Sequence, residues 1–105
     1  MISTASNAEE ADRIARTLVE EQLAACASLI PAAQSIFRWQ GKVEEAYETI
    51  LLIKTSAERL DALEARLHQL HSYSCPELLS IRVDEGSQGY LAWLMECLQK
   101  PGAEG

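Results

Sequence analysis

Glu48-Thr49-Ile50-Leu51-Leu52-Ile53-Lys54-Thr55 is the stretch on which the fold turns. Four aliphatic residues in a row, Ile50 to Ile53, offer side chains to both faces of any strand they form, which places that strand inside a sheet covered on both sides. The run is the longest purely aliphatic one in the chain and far too short to span a bilayer. Working backwards, Val43 leads into it and Gly41 turns the chain. Before the turn, Ser35, Phe37 and Trp39 alternate with Ile36, Arg38 and Gln40 as strand residues do. Cys26 to Ile30 reads as a short apolar strand, broken or bent at Pro31. Upstream, Ser6 with Glu9 has the spacing of a capping box, and Ala11, Ile14, Ala15, Leu18 and Val19 recur at helical spacing as far as about Ala25. Met1-Ile2-Ser3-Thr4 is at most the stub of a first strand.

Working forwards, Thr55 with Glu58 repeats the capping-box spacing, and Leu60, Leu63, Leu67 and Leu70 form the apolar stripe of a second helix. A last strand is expected after His71 to Pro76, with Leu79, Ile81 and Val83 on one face. Asp84-Glu85-Gly86 then turns into a third helix bearing Tyr90, Leu91, Leu94 and Leu98. The order strand, helix, strand, strand, helix, strand is the split βαβ arrangement of an α+β, ferredoxin-like fold, βαββαβ plus a C-terminal helix. This predicts one domain over residues 1–99 and a flexible tail over 100–105. Two long helices cover one face of such a sheet, and the apolar residues of the other face call for burial against other subunits.

Composition limits what the chain can do. A domain of 105 residues buries only roughly 65% of its unfolded surface, so its core is modest and assembly would help it. A net charge of −7 works against phosphate backbones, which excludes nucleic acid as a natural partner. The N-terminus has no basic stretch followed by an apolar one, so no signal peptide and no membrane association are expected. Cys26, Cys75 and Cys97 form no CxxC pair, and an odd number cannot all pair within one chain. Free thiols suit a reducing cytoplasm.

The chemistry is concentrated in two places. His71-Ser72-Tyr73-Ser74-Cys75-Pro76-Glu77 gathers an imidazole, a phenol, a thiol and a carboxylate between a helix and a strand, and Phe37-Arg38-Trp39-Gln40-Gly41-Lys42 puts aromatic and cationic residues on a hairpin. These two motifs, with Leu23-Ala24-Ala25-Cys26, Leu52-Ile53-Lys54-Thr55 and Tyr90-Leu91-Ala92-Trp93, fall in the order and spacing of the CutA divalent-cation tolerance family. The resemblance covers about Ser3 to Leu98. It implies a ferredoxin-like subunit in a tight homotrimer of PII-like architecture, with clefts between subunits, in the cytoplasm. It also implies a connection to divalent metals, copper above all. Two departures stand out. The first strand is shorter than the family's, and Ser3 stands where the resemblance places a copper-binding cysteine. Leu70 stands where some members carry a second histidine, which leaves His71.

The candidate metal ligands are therefore His71, a borderline imidazole, and Cys75, a soft thiolate four positions on. Two donors are fewer than a closed tetrahedral site needs, so no obligatory cofactor is expected, and Cu or another divalent metal would bind weakly. The structural alternative for His71 is a helix-ending residue beside the last carbonyls. Trp39, Lys54, Tyr73 and Glu77 are the candidates for lining a cleft. Trp39 and Tyr73 could equally be packing residues, and Lys54 could be a snorkelling cation. Glu77 is a carboxylate opening an apolar strand and must be hydrated, paired or at a site. A copper chaperone would need two thiols after the first strand, an acylphosphatase an Arg and a phosphate cradle there, and an RNA-recognition module aromatics on its central strands. Ser3-Thr4-Ala5-Ser6 and Glu48 to Lys54 supply none of these. The reading is a non-enzymatic homotrimer that binds metal or a small ligand at its clefts. The alternative is a small-molecule sensor or an enzyme at the same clefts.

Overall fold

The computed structural model describes residues 1–99, so the tail expected at 100–105 lies outside the described residues. In chain order it contains β1 (Ile2–Ala5), α1 (Ala8–Glu20), β2 (Cys26–Trp39), β3 (Lys42–Lys54), a short 3-10 turn (Ala57–Arg59), α2 (Leu60–Leu70), β4 (Leu78–Leu79) and α3 (Gln88–Cys97). The sheet order is β2-β3-β1-β4 with every neighbouring pair antiparallel. This is the α+β, ferredoxin-like arrangement, with β3 inside the sheet as its double-sided apolar run requires.

The period of two along β3 sorts its side chains. Thr49, Leu51 and Ile53 are buried, while Ile50 and Leu52 on the other face are only half-buried. Leu51 and Ile53 pack with Ile14 and Leu18 of α1 and Leu63 and Leu67 of α2 in one core. α1 is capped one residue later than the Ser6/Glu9 spacing suggests. Glu10 N–H donates to the Asn7 side-chain oxygen at 2.8 Å, and Ser6 N–H and hydroxyl donate to the Glu10 carboxylate at 3.0 and 2.8 Å. The helix also stops at Glu20 rather than near Ala25. Gln22 takes φ 60, and its N–H and that of Leu23 turn back to the Val19 and Leu18 carbonyls at 3.0 and 2.9 Å, a Schellman ending.

Three further differences have physical causes. Thr55 does not cap α2, because its hydroxyl donates to the Leu23 carbonyl at 2.7 Å, and the helix is entered through the 3-10 turn instead. β2 is continuous through Pro31. Pro31 and Ala32 together oppose Thr49, forming a bulge in which the missing proline N–H costs no ladder bond on this edge strand. The expected strand carrying Leu79, Ile81 and Val83 is reduced to Leu78–Leu79. β1 pairs Ile2 with Leu79, a register that places Met1 opposite Ser80 and no β1 residue opposite Ile81 or Val83. Those two side chains are left 61% and 73% exposed.

β2 and β3 outrun their neighbours in the other direction. β1 covers β3 only from Thr49 to Leu52, so the ladder from Ala33/Glu48 to Trp39/Lys42 is a two-stranded arm, and it stretches the molecule to 51 × 28 × 21 Å. Gln40 (φ 50) and Gly41 (φ 82) close the arm with the two left-handed residues that a tight hairpin turn demands. Ile36, Phe37, Trp39, Val43 and Tyr47 lie exposed along it. No helix among the described residues is long and apolar enough to cross a membrane.

Candidate functional site

The loop after α2 is built inward from its two ends. His71 ends the helix, with its N–H on the Leu67 carbonyl at 2.9 Å and its backbone extended (φ −84, ψ 142). That turn sends the imidazole into the body of the protein, where its side chain is 0% exposed. Nε2 lies 2.6 Å from the Thr4 carbonyl, and Nδ1 accepts the Tyr73 N–H at 3.1 Å. A carbonyl only accepts, so this pairing assigns the ring proton to Nε2. At the far end, the buried Ser3 hydroxyl donates to the Glu77 carbonyl at 2.6 Å, and Pro76 is buried beside it in sequence.

Glu10 stands under the loop. Its carboxylate, 5% exposed, accepts the Ser72 N–H at 2.7 Å in addition to both Ser6 donors, and lies 4.0 Å from His71 Nδ1 and from Arg13. Burial pushes this carboxyl up, but the donors of Ser72 and Ser6 together outweigh burial and hold it down at about 2. Tyr73 leans on the imidazole with ring centroids 4.7 Å apart and donates its hydroxyl to Glu48 at 2.9 Å. Burial, then the Glu48 carboxylate, push that phenol up to about 12. The charge pattern of the first helix puts Glu10 on a solvated acidic face, which its burial corrects, and it gives Glu48 no place in the site. The Asn7-to-Glu10 capping spacing was the available signal for the first, whereas Glu48 joins only through a contact between residues 25 positions apart.

The six candidate residues do not meet within one chain. His71 and Tyr73 are in contact, and Cys75 and Glu77 lie exposed further along the same loop. Lys54 sits opposite Cys26, its ammonium 2.6 Å from the Ser28 hydroxyl and 3.8 Å from the Cys26 sulfur. Trp39, 56% exposed, closes the other end of the same ladder, roughly 40 Å from Lys54 at the usual rise per strand residue. Two open grooves of about 310 and 570 Å³ run beside α1 and share Asp12 and Leu29, and none of these six residues lines them.

Whether a metal fits is decided by the donors themselves. Both His71 nitrogens are engaged, the Ser3 hydroxyl is engaged, and among the described residues no group of three or more His, Cys, Asp or Glu side chains could hold a metal ion. His71 and Cys75 thus do not face a common ligand position among the described residues. The obstacle is geometric, because the imidazole points into the core while the thiol lies at the surface.

Fold and site together define a small ferredoxin-like α+β domain with a projecting hairpin arm and a tightly anchored loop that presents a thiol and a carboxylate. The chain belongs to the CutA1 divalent ion tolerance protein family, whose model matches residues 1–97. The divalent-cation tolerance protein CutA of Thermus thermophilus is 43% identical over 96 residues, covering 91% of this chain and 93% of that one. The crystal structure of CutA from Xylella fastidiosa superposes with a TM-score of 0.91 at 42% identity, covering 93% and 94% of the two chains. That of CutA1 from Oryza sativa gives 0.91 at 34% identity, covering 94% and 91%. The family is named for tolerance of divalent ions and not for a reaction.

Proposed function

We propose that this chain is a homotrimeric protein of divalent-cation tolerance, copper above all, which binds metal or a small ligand at the clefts between its subunits and catalyses no reaction. The carrying observation is the uncovered apolar surface. Ile30 and Leu79 are exposed on the sheet face away from the helices, beside half-buried Ile2, Ile50 and Leu52, and the arm adds Ile36, Phe37, Trp39, Val43 and Tyr47. A two-stranded ribbon is marginal alone in water, and an edge strand such as β2 invites another strand. Ile81 and Val83, extended in pattern but unpaired among the described residues, suit that role for a neighbouring copy. The arm's reach also gives Trp39 its only route to a cleft, beside a neighbour's Lys54, Tyr73 and Glu77.

Metal contact in such an assembly falls to the exposed Cys75 thiol and Glu77 carboxylate, completed by a neighbouring subunit or water, and is accordingly weak. The unpaired thiols at Cys26, Cys75 and Cys97 support residence in the cytoplasm. The alternative of a small-molecule sensor or an enzyme at the same cleft draws on the Lys54–Ser28 pair, an ammonium and a hydroxyl suited to an anion on an acidic protein.

Light scattering at micromolar concentration is expected to return three times the 11.6 kDa subunit mass. In a strain lacking its own CutA, the chain is expected to restore growth on elevated copper, and Cys75→Ser to weaken Cu(I) binding more than Zn(II). A monomer mass, or growth on copper that the chain does not improve, would remove this reading. Calorimetry in which a small organic anion binds tightly and copper does not would favour the sensor.

A further inference from the structure

We infer that His71 is a structural tie in this chain and not a metal ligand, the role that the family resemblance implies for it. The buried imidazole makes three contacts with two residues that lie far apart in sequence. Its Nε2–H holds the Thr4 carbonyl at 2.6 Å, across 67 positions of sequence; its Nδ1 holds the Tyr73 N–H at 3.1 Å; and its ring packs on the Tyr73 ring.

The first of these bonds resembles what a metal-binding histidine makes, because such a residue donates one ring N–H to a carbonyl and offers the bare nitrogen to the cation. Here the bare nitrogen is already taken. A cation would have to sit about 2.0–2.1 Å from Nδ1, on the side from which the Tyr73 N–H approaches. Admitting it means withdrawing that N–H, and residue 73 cannot leave alone. Ser72 N–H is fixed to Glu10 at 2.7 Å and Tyr73 hydroxyl to Glu48 at 2.9 Å, so the whole turn would have to open and leave buried polar groups without partners. The carboxylate that might have helped a cation, Glu10, is occupied by the donors of Ser6 and Ser72. The loop's thiol and carboxylate, Cys75 and Glu77, are exposed, with Pro76 buried between them in sequence. The tie therefore fixes where Cys75 and Glu77 are presented without itself touching a ligand.

This inference does not depend on whether the protein binds metal, and the experiment separates the two questions. Long-range proton–nitrogen NMR correlations of the full-length chain, recorded in EDTA and then with one equivalent of Zn(II) after removal of the chelator, report the His71 ring directly. The expected result is the Nε2–H tautomer in both, with unshifted ring nitrogens. In parallel, His71→Ala in EDTA is expected to raise amide exchange at Tyr73 by about tenfold or more, with a lowered Tm, because Thr4 and Tyr73 lose their partner when no metal is present. His71→Gln, which keeps a donor for Thr4, is expected to fall between. A Zn(II)-dependent shift of Nδ1, or a His71→Ala protein as stable as the parent in EDTA, would overturn the assignment. A competition titration on the parent then scores metal binding by itself. Failure to bind would strike the metal-binding part of the proposed function and leave His71 as assigned, whereas binding accompanied by a shifted His71 ring would do the reverse.

Discussion

Leu51→Glu is expected to abolish the folded protomer, whereas Leu52→Glu, one residue away, is expected to leave the protomer folded and to dissociate the proposed trimer. The two side chains leave β3 on opposite faces. Leu51 is 0% exposed and packs with Ile14, Leu18, Leu63 and Leu67 between sheet and helices. Losing a buried leucine costs about 2–5 kcal/mol. Placing an unpaired carboxylate there adds several kcal/mol more, and the total falls within the roughly 5–15 kcal/mol that holds an ordinary domain together. Leu52 pairs with Ile2 and Ser28 on the face without helices, where it is only half-buried in the single chain. A carboxylate there finds water in the protomer but not in a subunit interface. Circular dichroism and light scattering on both variants check this. Two variants that are both folded trimers would mean that β3 does not lie between the helices and other subunits.

The double-sided apolar run at Ile50 to Ile53 was legible because its period does not depend on anything distant, and it correctly placed β3 inside the sheet. The helix stripes were legible for the same reason. The errors lie where a local signal met a distant partner. Thr55 has the sequence of a cap, but the Leu23 carbonyl is a better-placed acceptor for its hydroxyl, and no spacing rule sees a residue 32 positions away. Ile81 and Val83 have the alternation of a strand, but the ladder with β1 is confined to Leu78 and Leu79. The candidate site fared likewise. His71 and Tyr73 were recognisable as chemistry close together in sequence, but the direction of the imidazole depends on Thr4 and on Glu10, two residues contributed by the other end of the chain. Trp39 and Lys54 were grouped by resemblance, and the ladder that joins them also holds them at its two ends.

Acid is expected to release the loop through Glu10, the residue on which α1, β1 and the turn at Ser72 converge. The carboxyl has its ordinary value of 4.5 in the unfolded chain and about 2 in the folded protein, so folding favours its ionised form. The stability it contributes is fully present above about 4.5, declines as the pH falls, and is gone below about 2. With the side chain 5% exposed, that contribution is on the order of 2–3 kcal/mol. Other carboxylates titrate over the same range, so the measurement is a difference between two proteins. Urea denaturation of the parent and of Glu10→Gln, each at neutral pH and near pH 2.5, isolates the one group. At neutral pH, Glu10→Gln is expected to be less stable by about 1–3 kcal/mol, since its amide can replace only part of the acceptor that Ser6 and Ser72 share. Near pH 2.5 the difference between the two proteins is expected to shrink to a small part of its neutral-pH size, and amide exchange at Ser72 and Tyr73 to rise in the parent. If the difference between parent and variant is the same at both pH values, Glu10 is not held in its ionised form by these donors, and the loop depends on His71 and Tyr73 alone.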